Sequence, residues 1–523
     1  MPDPRVAPHP FSLIYPPAAG RGFSTETQEK ANPMVIKRLL HAVNLLSLAA
    51  LAQVSPPAPF GAVPSERHLR WHERETYVLV HFTPTTFENK EWGYGDADPS
   101  VFNPSAFDAS QIVSAAKAGG FKGLILVAKH HDGFALWPTS TTSYNISRSP
   151  WRQGRGDMVR EFSDACRSLG LGFGVYCSPW DRNHPDYGKP AYVEAYRRQL
   201  SELYSNYGPL FMSWHDGANG GDGYYGGARE TRKIDRTTYY GWDSTWSMTR
   251  RMQPMASIFS DVGWDVRWVG NERGEAAETS WATFTPTPLE GKAVAGPGEV
   301  RDELNPMGTR NGRHWMPAEC DVPLRKGWFY HPEQDNTVKT PDQLFELYLK
   351  SVGRGAALDI GLAPDKRGRL HENDVASLAS FGKMLESTFR TDLSLSATIR
   401  ASNVRAGRSD LYGTRNLNDG DRYSHWATDD RVRNPVIEMD WNSPVTFDLV
   451  RLREDIRLGQ RIDSLEVDAQ VDGKWLTVGK ATSIGACRII YLDKPVTTTR
   501  CRIRITGSPV SVALGELGVF KKG

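Results

Sequence analysis

With 523 residues, 39% of them hydrophobic, and 16 Trp, 19 Tyr and 20 Phe, the chain has room for two or three domains with large cores and is excluded from the disordered and low-complexity classes. A formal net charge of +2 and the lack of any basic block exclude a polyanionic partner such as nucleic acid. The aromatic surplus suits a sugar-binding cleft as well as it suits a large core.

In chain order the first signal is Met34 to Gln53, MVIKRLLHAVNLLSLAALAQ, where Lys37 and Arg38 precede an apolar run ending on Ala50-Leu51-Ala52. That is the pattern of a secretory signal peptide, and the run is too short and too interrupted by His41 and Asn44 for a membrane span. Residues 34–52 are therefore expected to be cleaved, leaving a secreted or periplasmic protein. Residues 1–33, rich in Pro and polar groups, read as a disordered extension or a misassigned start.

From Tyr77 short apolar runs recur, at Tyr77–Phe82, Gly123–His130, Leu171–Cys177, Leu210–His215 and Ser257–Val262. Between them, Asp157–Leu169 and Pro190–Tyr207 carry apolar groups at helical spacing, and Pro341–Val352, Ala356–Leu362 and Glu372–Ser387 read as helix, strand and helix. Apolar strands alternating with amphipathic helices predict a parallel sheet covered by helices, an α/β (β/α)8-like barrel over 65–390. Asp265 to Tyr330 is loop-rich, and its strands cannot be counted. From 394 to 523 the runs shorten and alternate, as in Pro435–Asp440, Thr446–Leu452, Ser464–Val471 and Cys501–Ile505, which predicts a β-sandwich. The five cysteines show no CxxC pair and no metal spacing and are expected to be mostly free and buried, with Cys487 and Cys501 flanking a β-hairpin.

In a parallel barrel the carboxyl ends of the strands converge on one face. His81, the His130-His131-Asp132-Gly133 run, Tyr176 and Asp216 stand at four successive strand ends. A single such histidine would be a packing residue; four polar ends in a row point to a site. A metal centre of His81, His130, His131 and Asp216 is disfavoured, because adjacent histidines on a strand face opposite ways and no HxH or HExxH spacing occurs. Without a GxSxG or catalytic-cysteine context, a carboxylate pair is the natural chemistry. Asp216, released from its strand by Gly217, is one member. Glu272, Glu275, Glu278 and Glu319 are candidates for the other, and each could equally be a solvated loop charge.

VHFTPTTFENKEWG (80–93), AKHHDGFALWPT (128–139), GVYCSPWDR (174–182), WHDGAN (214–219), IFSDVGWDVRWVGNERG (258–274) and PAECDVPLRKGWFYH (317–331) resemble the α-L-fucosidases of glycoside hydrolase family 29, and within them the branch acting on α-1,3/1,4-linked fucose. The resemblance spans most of 65–390. It implies a retaining exo-α-L-fucosidase with Asp216 as nucleophile and Glu272 as acid/base, and a fucose pocket of His81, Glu91, Trp92, His130, His131, Tyr176 and Trp328. It implies no cofactor for catalysis and a fucosylated glycan as partner. Two departures stand out: His215 occupies a position that is usually aromatic, and the glycine-rich stretch Gly220–Gly227 reads as an insertion on the leaving-group side. LNDGDRYSHWATDD (417–430) and REDIRLGQRI (453–462) resemble appended discoidin-like modules, whose acidic loops suggest a structural calcium. A broad-specificity α-L-fucosidase and a catalytically silent fucose-binding protein are the alternative readings.

Overall fold

The computed structural model describes residues 54–260, 265–288, 291 and 306–523. The expected signal peptide at 34–52 and the segment 1–33 lie outside the described residues. So does the end of the run expected at Ser257–Val262.

Eight parallel strands close a barrel: β1 (Thr76–Val80), β2 (Gly123–Lys129), β3 (Gly172–Cys177), β4 (Met212–His215), β5 (Ser257–Ser260), β6 (Val266–Trp268), β7 (Ala318–Pro323) and β8 (Ala357–Leu362). They neighbour one another in sequence order, with β8 paired back to β1. Helix α1 (Glu66–Arg74) precedes β1; α2 (Ala109–Ala118), α3 (Met158–Leu169), α4 (Pro190–Asn206) and α5 (Trp242–Met252) follow β1 to β4 in turn; α6 (Pro341–Lys350) joins β7 to β8, and α7 (Glu372–Phe389) follows β8. An aspartate caps α2 and α3, the Asp108 and Asp157 carboxylates accepting the backbone N–H of Gln111 and Arg160.

Strand side chains alternate between two cores. Val78 and Val80 of β1 and Leu124 and Leu126 of β2 face the helices. Tyr77, Leu79, Ile125, Val127, Tyr176, Met212, Trp214, Phe259 and Val266 fill the barrel interior. Each run was read as apolar throughout because both of its faces are buried.

The two strands that could not be counted, β6 and β7, lie in the loop-rich stretch. One has three residues, and the other, AECDVP, carries two carboxyl side chains and ends in proline. Hydropathy cannot find either. Among the described residues no helix separates β5 from β6 or β6 from β7.

Seven antiparallel strands form the carboxyl-terminal domain: β9 (Thr398–Ala401), β10 (Trp426–Ala427), β11 (Val436–Glu454), β12 (Ser464–Val471), β13 (Lys474–Ala481), β14 (Arg488–Gly507) and β15 (Ala513–Phe520), in the order β10-β15-β11-β14-β12-β13, with β9 also on β11. The two strands expected at 435–440 and 446–452 are one, β11, with register shifts at Asp440/Val445 and Phe447/Leu449. Both halves of β11 feed one core, through Ile437 and Met439 and through Phe447, Val450 and Leu452. The hairpin expected between Cys487 and Cys501 is likewise a single strand, β14, and all five cysteines are free and buried.

Leu449, Ile489 and Phe520 of this sheet belong to the core around the barrel helices. Beside them Glu75, just after α1, receives Arg453 at 2.6 Å and Arg422 at 3.0 Å. Burial alone would raise the Glu75 carboxyl, but Arg453 and Arg422, helped by Lys122, hold it well below the usual carboxylate range. No described helix is long and apolar enough to cross a membrane.

Candidate active site

At the carboxyl end of the barrel a cavity of about 190 Å³ is lined by His81, Glu91, Trp92, His130, His131, Tyr176, Asp216, Glu272 and Trp328, which are the nine residues singled out in the sequence, and by Leu79, Trp214, Ala218, Trp268 and Asp321. This is below the roughly 300–1,000 Å³ of pockets for drug-sized ligands, and suits one sugar ring rather than a chain. A cavity of about 340 Å³ opens elsewhere, among Arg67, Arg70, Arg74 and Arg167, Trp71 and Phe211. Arg67, Arg70 and Arg167 are paired with Asp265, Glu66 and Asp164, and no acid and base face each other there.

The strand period explains the placement. Trp214 points into the barrel, so Asp216 two residues on reaches the same face, past the end of β4. Its Oδ1 accepts the Ala218 N–H at 2.7 Å and its Oδ2 the Tyr176 hydroxyl at 3.0 Å. His131 Nε2 lies 3.8 Å away, too far for a hydrogen bond. The Ser178 hydroxyl donates to the Trp180 carbonyl at 2.7 Å, so its oxygen accepts from His131 Nδ1 at 2.8 Å. The proton of His131 is thereby fixed on Nδ1, and Nε2 presents a lone pair.

His81, His130 and His131 are buried, and burial lowers all three, His81 to about 3. They are neutral imidazoles. Among the described residues Nδ1 of His81 and of His130 is buried without a hydrogen-bond partner. The expectation that adjacent histidines face apart fails here: both follow the end of β2, their rings are 4.1 Å apart, and both line the cavity. A register shift between Val127 and Lys129 turns Lys129 outward instead, onto Asp181, Tyr192 and Gln199.

Glu272 follows β6 and stands at the cavity mouth, its surface still open to solvent but its carboxyl partly enclosed, and Trp328 Nε1 donates to it at 3.4 Å. Partial burial pushes its carboxyl up, and the charges of Asp216 and Glu91 add to the effect. Of the two neighbours expected to supply that environment, Trp268 lines the cavity, whereas Val269 packs in a separate cluster with Ala276 and Cys320. The other candidates for a second carboxylate are engaged elsewhere. Glu275 pairs with Lys350, and Glu278 with Arg354 and Arg488. Glu319 lies beneath the cavity, accepting from Tyr77 and Trp214.

Glu91 faces the loop after β7, where its carboxylate accepts the backbone N–H groups of Trp328 and Phe329 and pairs with His331 at 3.0 Å. Trp92 stands 49% exposed at the rim, edge-on to His131 and Trp180. His215 turns away from the cavity. It is fully buried, with Tyr196 Oη at 2.7 Å and Ser213 Oγ at 3.1 Å, against Trp242. The glycine-rich stretch opens a short hairpin, Gly221–Gly223 with Glu230–Arg232. It braces the Trp92 loop through Arg182, which donates to the carbonyls of Asp222 and Gly93.

Sequence reasoning missed Asp321 as a lining residue and gave Trp268 only a supporting part. The available signal was weak: Asp321 lies two residues after Glu319 on one strand, so the two share a face. Among the described residues no cluster of three or more His, Cys, Asp and Glu is arranged to hold a metal. The acidic loops expected to hold calcium are internally paired, Asp419 with Ser424, Asp429 with Asn403 and Asp430 with Arg405.

The family described as Alpha-L-fucosidase matches residues 57–388, more than half of the chain. Alpha-L-fucosidase 1 of Arabidopsis thaliana is 35% identical over 485 residues, covering 91% of this chain and 92% of its own. A crystal structure of a putative alpha-L-fucosidase from Bacteroides thetaiotaomicron superposes with a TM-score of 0.79 at 34% identity, covering 90% of this chain and 99% of that one. A Ruminococcus gnavus glycoside hydrolase 29 fucosidase in complex with fucose gives 0.80 at 29% identity, covering 90% and 97%.

Proposed function

The chain belongs to the alpha-L-fucosidase family of glycoside hydrolases, and on that premise we propose that it removes terminal α-1,3/1,4-linked L-fucose from glycans with retention of configuration, by way of a covalent fucosyl-enzyme. The observation that carries the proposal is the pairing of unlike carboxyls across one small cavity. Asp216 accepts from a hydroxyl and an amide, the environment of an anion, whereas Glu272 is pushed toward its protonated form.

Asp216 attacks the anomeric carbon as Glu272 gives its proton to the departing oxygen. Glu272 then takes a proton from water, which displaces Asp216 and releases fucose. This route needs carboxyl groups about 5 Å apart. Neutral His81 and His130 line the cavity and hydrogen-bond ring hydroxyls, and Trp328 and Trp92 pack on the apolar face of the sugar.

Kinetics on an aryl α-L-fucoside test the roles. Asp216→Gly should fall to background, and azide should restore turnover by forming the β-fucosyl azide. Glu272→Ala should lose about 10²–10⁴-fold on poor leaving groups, and azide should rescue it with retention. If both variants keep activity, the assignment is wrong. Linkage preference is read by comparing Lewis-type trisaccharides with 2'-fucosyllactose. We also propose that residues 34–52 direct export; the exported chain should begin near Gln53 on amino-terminal sequencing.

A further inference from the structure

Beneath and beside the fucose pocket, three carboxyls project into the barrel: Glu319 and Asp321 from β7 and Asp359 from β8. All three are buried, Glu319 and Asp359 completely. Asp321 and Asp359 are register partners across the β7–β8 pairing, on strands about 4.8 Å apart, and Tyr77 is the partner of Asp359 on β1. A buried carboxylate is tolerated only where donors replace the water it gave up.

The donors are unevenly shared. Glu319 has one for each oxygen, the Trp214 Nε1–H at 2.7 Å and the Tyr77 hydroxyl. Among the described residues Asp321 has one side-chain donor, the Trp268 Nε1–H at 2.8 Å on Oδ1, besides its own backbone N–H. Among the described residues neither oxygen of Asp359 has a hydrogen-bond partner. Glu319 is thus the site equipped to be an anion, while Asp321 and Asp359 must carry protons of their own. The directions agree: burial pushes Glu319 up to about 7, and pushes Asp321 and Asp359, which also feel Glu319, well above the usual range. Of the three, only Asp321 lines the cavity.

We propose that Asp321 is a further substrate-binding residue, presenting a carboxylic acid O–H from the cavity wall to a ring hydroxyl oxygen of the fucoside. Its Oδ1 is held by Trp268, so the proton resides on Oδ2 and is offered as a donor. Neutral His81 and His130 leave the pocket short of obligate donors, and this group supplies one without adding a second anion beside Asp216. The inference rests on the reading of this cavity as the fucose site.

The test compares Asp321→Asn and Asp321→Ala with wild type, measuring inhibition by L-fucose and turnover of aryl α-L-fucosides, including the monodeoxy analogues. The asparagine variant keeps an acceptor for Trp268 and an N–H donor in the same place. Its affinity should stay within about 3-fold, whereas the alanine variant should bind L-fucose about 10-fold more weakly. One deoxy analogue should be penalised in wild type but not in the alanine variant. If the asparagine variant is as weak as alanine, Asp321 acts as an anion and the proposal is overturned; if alanine matches wild type, it is overturned as well. A wild type that neither binds nor cleaves fucosides overturns the fucose reading and this inference together.

If melting curves show that the alanine variant does not fold, pH decides. Asp321 is faced by Trp268, Glu272, Glu319 and Asp359. As pH rises, L-fucose affinity should fall more steeply in wild type than in Asp321→Asn, because only the acid, which burial pushes well above the usual carboxylate range, can lose its proton. Parallel profiles overturn the proposal.

Discussion

His215 stands next to the proposed nucleophile yet takes no part in the cavity. Trp214 and Asp216 share one face of β4, so the residue between them must face the helices, where the Tyr196 and Ser213 hydroxyls hold its two nitrogens. Strand alternation alone implies this, whereas the departure from an aromatic residue drew attention to the substrate side. In His215→Phe the hydroxyls lose the imidazole but keep other partners, Tyr196 the Cys177 carbonyl and Ser213 the Tyr204 hydroxyl. The substitution should therefore cost about 1–2 kcal/mol in urea unfolding and change kcat/KM by less than about 3-fold. Burial lowers His215 to about 3. Its native pKa is below its unfolded one, so it contributes stability that is intact above about pH 6.5 and is lost as pH falls toward 3. His215→Phe should accordingly shift the acid-unfolding midpoint, followed by circular dichroism, to lower pH. The site was legible wherever a polar residue ended an apolar run, as at His81, His130, Tyr176 and Asp216. Asp321 was not, because a charged residue inside a buried strand removes the pattern by which a strand is recognised.

The loop after β7 is the element that completes the pocket, and its position is set by close contacts. Glu91 holds its backbone at Trp328 and Phe329, and the Trp328 ring lies over Gly361, where an added Cβ would sit 2.5 Å from the ring. Gly361→Ala must displace the indole that touches Glu272. It should lower kcat/KM by about 10-fold or more while leaving the melting temperature within a few degrees, a split that stopped-assay kinetics and calorimetry on one preparation would reveal. Glu91 was read as a sugar ligand because the family resemblance implied it. Its partners 237 and 238 residues away in sequence cannot be found by local pattern. The strands with apolar runs were located to within a few residues, while β6 and β7 were lost to shortness and to inward carboxyls. The fold class was therefore readable from six strands and the carboxyl-terminal alternation, and the remaining two follow from closure of the barrel.

At the scale of the molecule, barrel and sheet are joined around Glu75. This carboxylate receives Arg422 and Arg453 from the sheet domain, and Arg453 also pairs with Glu516 at 2.7 Å. Removing it leaves buried guanidinium charge, so Glu75→Ala should cost about 3 kcal/mol and split unfolding into separate barrel and sheet transitions in a calorimetric scan. Because its native pKa is depressed, the contribution of Glu75 is full above about pH 4.5 and is lost as pH falls through the native value, so wild type and variant should converge in stability in strong acid.

Closure of the barrel also has a consequence in time. On the ribosome β1 emerges before any other barrel strand, and β2 can cover one of its edges early, but its second edge waits for Ala357–Leu362. The arginines that neutralise Glu75 arrive later still. The first strand made is thus the last to be fully paired, and during synthesis its open edge is the place where a nascent chain of this protein is most exposed to misassembly.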